Sequence, residues 1–356
     1  MKLRDFFYIF DVIFGVMVFV MSAPALAQEK ELSGFFSGVV LYSNENVAYA
    51  EHVDNNGSLD DTLFGVRWRH QVYEGATIDA QVSGNGAKNF VLALDWANMQ
   101  YQLSNFISVK FGKHTSPAGL FAGQQQGGFN YWWIKLPQTI YNLQHDGPHL
   151  MQEAYTGLEL SLHTQIQRIS IHFSPFYGES KFTEGEIQHY YGFKLRGEFL
   201  QEWQVVLGLN RGMVKIGDIL TQSTQQLIDD EFLEIQYAGI SGAFGPILFR
   251  GEIAQGEFGD KNLATKSDYQ SIAYRFLGNT VHYTIENWHS IGGWGEQATI
   301  YGIRHDFNKN TAVKLEWKKI ESSSVNRPAS RGVGLFAGIP TAQPVNIYGF
   351  SIESIF

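Results

Sequence analysis

Beyond residue 27 the chain alternates, and that alternation limits what it can fold into. In Phe64-Gly65-Val66-Arg67-Trp68-Arg69, the residues Phe64, Val66 and Trp68 share one face of an extended strand, and Arg67 and Arg69 share the other. Ile169, Ile171 and Phe173 alternate with Arg168, Ser170 and His172, and Val313, Leu315 and Trp317 alternate with Lys314, Glu316 and Lys318. No segment between them carries a helical period. Sixteen strands are predicted, at 32–42, 63–71, 77–83, 90–103, 106–112, 154–162, 166–174, 189–199, 203–210, 231–241, 247–255, 269–276, 280–287, 298–307, 311–319 and 346–356. In the fourth, the apolar phase runs Phe90, Leu92, Leu94, Trp96 and then switches to Met99, Tyr101, Leu103, which predicts a bulge near Ala97. The class is all-β, a closed barrel or a sandwich.

The connections choose between these. After even-numbered strands they are short, as at 72–76, 104–105 and 308–310. After odd-numbered strands most are long, as at 43–62, 113–153, 175–188 and 320–345. A sandwich has no reason to sort loop length by parity, whereas a transmembrane antiparallel barrel with short periplasmic turns and long outer loops does. Energetics agree. Sixteen strands close a cylinder too wide for side chains to fill, so an apolar interior would be a void. The apolar faces are therefore expected outward against lipid, with the charged faces inward around water. An Arg on the lipid face at mid-membrane costs about 2–4 kcal/mol, which is reason enough to turn Arg67, Arg69, Arg168, Arg196 and Arg250 inward.

Residues 1–27 read separately. Lys2 and Arg4 precede an apolar run from 12 to 21, then Pro24 and Ala25-Leu26-Ala27, the layout of a signal peptide cut before Gln28. Residues 28–356 are then the barrel. Cysteine is absent, which excludes disulfides, thiolate metal sites and a cysteine nucleophile. The formal net charge of -9 argues against a nucleic-acid partner. The histidines are scattered without metal-ligand spacing, so no metal and no cofactor are expected.

Two stretches carry a family resemblance. The chain ends Tyr348-Gly349-Phe350-Ser351-Ile352-Glu353-Ser354-Ile355-Phe356, with a terminal Phe that resembles the assembly signal of Gram-negative outer-membrane barrels. Residues 301–317, Tyr301-Gly302-Ile303-Arg304 through Leu315-Glu316-Trp317, are similar to the late hairpin of Gram-negative porins. The long loop 113–153 stands where general porins fold a loop back into the pore. The resemblance implies a water-filled diffusion channel in the outer membrane of a Gram-negative bacterium, in contact with lipid and lipopolysaccharide. It implies assembly by the barrel machinery through Phe356, and usually a homotrimer. The loop lacks the acidic constriction common in general porins, so cation selectivity does not carry over.

The expected pore-lining wall includes Arg67, Arg69, Lys110, Arg168, Lys194, Arg196, Arg250 and Arg275, with Glu159, Glu198, Glu252 and Glu286. These charges could pair across strands or form a basic ladder that selects anions. The candidate constriction is loop 113–153, with Gln124, Gln125, Gln126, Tyr131, Trp132, Trp133 and Lys135. Its apolar, aromatic character is wrong for a solvated loop. It either presents Gln, Tyr and Trp to a solute or anchors to the inner wall. Three other readings are a channel preferring anions or sugars, a structural or adhesin barrel, and a hydrolase. The hydrolase would rest on His114 and Ser116, which lack a third member to orient the His, so no enzyme is expected. Trp68, Trp203, Trp288 and Trp317 are expected in the aromatic girdles at the strand ends.

Overall fold

A computed structural model describes residues 30–50, 52–122, 127–141, 154–182, 185–200, 202–216, 230–259, 263–290, 294–324 and 344–356. The leader expected at 1–27 lies outside the described residues. Sixteen strands follow in chain order. They are β1 (Lys30–Ser43), β2 (Leu63–Tyr73), β3 (Ala76–Asn85), β4 (Ala93–Ser104), β5 (Ile107–Thr115), β6 (Ala154–Ile166), β7 (Ile169–Phe182) and β8 (Gly185–Phe199). The second half comprises β9 (Trp203–Ile216), β10 (Phe232–Phe244), β11 (Ile247–Phe258), β12 (Leu263–Phe276), β13 (Asn279–Ser290), β14 (Trp294–Asn308), β15 (Thr311–Ser324) and β16 (Val345–Ile355). Each pairs antiparallel with its sequence neighbours, and β1 pairs with β16 from Phe35↔Ile355 to Ser43↔Ile347, which closes the barrel. The last residue adds to the seam: Phe356 N–H donates to the Gly34 carbonyl at 3.0 Å, and Gly34 N–H donates to the Phe356 carbonyl at 2.8 Å. A closed ladder leaves no edge of unpaired amides, the condition for a sheet to stand in hydrocarbon.

The faces divide as the alternation requires. Val82, Tyr101, Phe111, Leu158, Phe173, Leu207, Ile253, Ile272, Leu315 and Phe350 are all exposed on the outside. Arg67, by contrast, pairs with Asp79 and lies 6.0 Å from the Trp96 ring, both on the inner face. The expected bulge is present. The β3–β4 register passes from Gln81↔Trp96 to Val82↔Leu94, so Asp95 is the extra residue, two positions before Ala97. Asp95 accepts from Gln81 at 2.9 Å and Ser83 at 2.8 Å, so both it and Trp96 face inward.

Strands run further at the outer end than the apolar pattern reaches. Of the region 175–188, expected as a long loop, residues 175–182 instead end β7 and 185–188 begin β8. Lys181 and Glu186 pair on one face there while Ser180 and Ile187 are buried on the other, so the outward apolar pattern ends although pairing continues to Phe182↔Gly185. Pro175, which has no amide hydrogen, sits where the β6–β7 ladder steps from Glu159↔Phe176 to Leu162↔Phe173. Trp203 opens β9 and Trp288 lies near the end of β13. Trp68 and Trp317, however, sit in strand interiors, where Trp317 stacks on Tyr301 at 5.4 Å.

Leu315, exposed on the outer face and midway along the expected apolar band, tests the facing. Leu315→Arg is expected to destabilise the folded barrel in lipid vesicles by about 2–4 kcal/mol, while Gln100→Arg on the inner face is expected to be near neutral. Urea midpoints of the two variants provide the check, and equal midpoints would reverse the assignment.

Candidate functional site

The segment after β5 turns inward and is buried in two described pieces, 116–122 and 127–141. It has little secondary structure beyond a short turn of helix, α1 (Gln138–Tyr141). A buried main chain without a ladder must find other partners for its amides and carbonyls. They come from charged side chains on the facing wall. Lys194 donates to the Gly119 carbonyl at 3.1 Å, and Glu252 accepts from Leu120 N–H. Lys314 donates to the carbonyls of Gly128, at 2.6 Å, and Trp133. Arg304 donates to those of Phe129 and, at 2.9 Å, Tyr131. Glu316 accepts from Ile134 N–H at 2.8 Å, and Glu286 from Thr139 N–H at 3.3 Å. Charge-assisted bonds of this kind are roughly twice as strong as neutral ones, and they also satisfy ions that burial would otherwise penalise.

Aromatic packing completes the clamp. Trp132 and Trp133 donate from their indole nitrogens to Ser271 at 3.2 Å and Thr284 at 2.8 Å. The Arg250 guanidinium lies 3.8 Å from the Trp132 ring centre and 5.0 Å from that of Phe121. Gly119 has a positive φ of 83°, and a side chain there would strike the Tyr141 hydroxyl. Gly128 approaches Glu353 so closely that a Cβ would overlap its carboxylate.

A second loop folds inward as well, and the sequence reading missed it. In 44–62, Tyr49, Ala50 and Val53 are buried against Leu41, Ile134, Ile320 and Ile347. Tyr49 donates to Glu296 at 2.9 Å. Val47 to Ala50, an apolar cluster in a polar loop, was the available signal. The two loops are joined by Lys135 Nζ to Asp61 Oδ1 at 2.6 Å, with His52 Nε2 at 3.0 Å from the other Asp61 oxygen. Burial alone would raise the Asp61 carboxyl, but the Lys135 ammonium and the His52 ring outweigh it and hold it at about 2.

Space remains on the opposite side. A cavity of about 580 Å³ lies between the loop residues Tyr131, Ile134, Lys135, Leu136, Gln138 and Tyr141 and the inner face of β1–β7. Its charged lining is balanced: Asp60, Asp61, Asp95 and Glu179 against Lys88, Lys113, Lys135 and Lys181. Trp96 and Tyr155 also line it.

The residues expected on the open wall therefore divide. Arg67 and Arg69 both reach Asp79, Lys110 pairs with Glu159 at 2.8 Å, and Arg196 pairs with Glu198. Lys194, Arg250, Glu252 and Glu286 face inward as expected but lie beneath the loop, a correction to their placement on an open wall. Arg168 sits in the turn between β6 and β7, and Arg275 is exposed beside the turn at 277–278. Trp132 and Trp133 point at the wall and are buried, whereas Tyr131 and Lys135 border the cavity. Gln124, Gln125 and Gln126 lie outside the described residues. His114 is buried, its ring 3.1 Å from the Gly157 carbonyl and packed on Tyr155, which makes it a wall residue.

Trp133→Ala removes the central ring of the clamp and its bond to Thr284. The expected loss is about 3–5 kcal/mol of packing, read as chymotrypsin cleavage within 116–141 of a barrel whose gel mobility is unchanged. The Asp61–Lys135 tie has the opposite pH sense to a histidine switch. A depressed carboxyl stabilises above the unfolded value near 3.8 and loses its effect as pH falls through about 2. Protection of the loop is thus expected to be flat from neutral pH to about pH 4 and to fall below it, whereas Asp61→Asn weakens it at neutral pH too.

No family model matches the chain, and no curated protein matches it. Solved structures do. The anion-selective porin from Comamonas acidovorans superposes with a TM-score of 0.63 at 14% identity, covering 92% of this chain and 99% of that one. OmpF of Salmonella typhi in complex with daunomycin gives 0.56 at 12%, covering 92% and 97%. The outer-membrane-expressed OmpT of Vibrio cholerae gives 0.56 at 10%, covering 93% and 99%. At such identities the likeness is one of fold, and the fold is that of the sixteen-stranded porins.

Proposed function

We propose that this chain is a passive channel of a Gram-negative outer membrane, admitting small hydrophilic solutes and ions. The observation that supports the reading is the space left open when the loop after β5 is clamped to the β8–β16 side: a cavity of about 580 Å³ bounded by β1–β7 on one side and the loop on the other, where an aqueous passage would run. The mechanism is steric and electrostatic. The clamped loop sets the width, and rows of paired charge keep the wall wet and rigid without covalent chemistry. Four acidic and four basic residues around the cavity argue for weak selectivity rather than a basic ladder. Export past a leader cut before Gln28, assembly through Phe356, contact with lipopolysaccharide and a homotrimeric state complete the proposal.

Planar-bilayer recording tests it. The purified protein is expected to give stepwise conductance with a reversal potential near zero in a KCl gradient. The double variant Lys88→Glu, Lys113→Glu is expected to shift the reversal towards cations. A protein that inserts but passes no current would instead be a closed structural barrel.

A further inference from the structure

The inner wall carries a pair of histidines that neither the loop clamp nor the charge pairs use. His163 on β6 and His172 on β7 stand directly opposite each other. Leu158 and Phe173 are exposed on the outside, so the alternation turns His163 and His172 inward, next to the short turn at 167–168. Their rings lie 5.3 Å apart and nearly parallel, at 21°. His163 is exposed and His172 half-buried, so the pair opens on the end of the lumen that the loop does not cover. The neighbouring cation on the next strand, Arg196 opposite His172, is neutralised by Glu198.

We propose that His163 and His172 form a two-imidazole site for a borderline divalent cation of the Cu²⁺, Ni²⁺ or Zn²⁺ class. The reasons are chemical. Neutral imidazole is a preferred ligand of these ions, and affinity rises to Cu²⁺ along the first row. Directly opposed residues on antiparallel strands hold their Cβ atoms about 4.5–5.5 Å apart, close enough for two rings to converge on one ion after a small rotation about their side-chain torsions. A rigid ladder prepays the entropy of bringing two ligands together. Among the described residues no group of three or more ligating side chains is placed to hold an ion. Water would therefore complete the shell, as suits a reversible lumenal site rather than a structural one.

Cu²⁺ titration of the purified, untagged barrel in detergent, followed by electron paramagnetic resonance, reads the site without any current. Its failure is therefore separable from a failure of the channel reading. The wild type is expected to show one Cu²⁺ per chain with two-nitrogen coordination. His163→Gln and His172→Gln are each expected to weaken it about a hundredfold, the scale on which joining two ligands on one frame raises affinity. A missing two-nitrogen signal, or a signal that survives in both variants, overturns the proposal. Should a variant fail to fold, the wild type still decides: Cu²⁺ must protect His163 and His172 from diethyl pyrocarbonate, and undiminished modification of both overturns it equally.

Discussion

The wall of this protein can present apolar side chains to its surroundings because β1 and β16 meet. Their pairing, with Phe356 bonded both ways to Gly34, removes the strand edge that would otherwise expose a row of unpaired amides. Once the sheet is closed around sixteen strands, its interior is too wide for side chains alone to fill. Charge inside and hydrocarbon outside then follow, because the reverse would strand ions against lipid and leave an apolar void around the axis.

That inversion also explains how a poorly structured segment can be held at the centre of the molecule. An interior lined by Lys, Arg and Glu is a supply of donors and acceptors, and the loop after β5 uses them through its main chain. Lys194, Arg304 and Lys314 take its carbonyls, while Glu252, Glu286 and Glu316 take its amides. Side-chain identity in the loop matters most where Trp132 and Trp133 fill the space between these bonds. The clamp is one-sided, and so the open space lies against β1–β7, with the first loop tied in through Asp61 and Lys135 at its margin.

Much of the architecture was legible in the chain. Alternation such as Phe64-Val66-Trp68 against Arg67-Arg69 identified the faces, and the phase switch after Trp96 located a bulge that the structure places at Asp95. Strand ends were read too short because in the outer portions of β7, β8 and β9 the row Lys181, Glu186 and Lys215 is charged while Ile187 and Val214 are buried on the other face, so the outward apolar pattern ends while the ladder continues. The inward fold of 44–62 went unread because a buried patch of a few apolar residues in a loop has no period to detect.

Sequence alone determined the strand count and the alternation of faces along the strands, since these are set by neighbours one or two positions away, whereas the length of several odd-numbered loops, such as that after β7, was not legible. Tertiary structure decided which inward charges meet water. Lys110 and Lys194 have the same local pattern, yet Lys110 remains in an ion pair beside Glu159 while Lys194 is buried under Gly119. The difference rests on a loop 75 residues from Lys194 and 181 from Lys314, separations across which no local period carries information. Burial and Coulomb partners act through space, so the cavity and its balanced charges appear only once the barrel has closed and the loop has found its side of the wall.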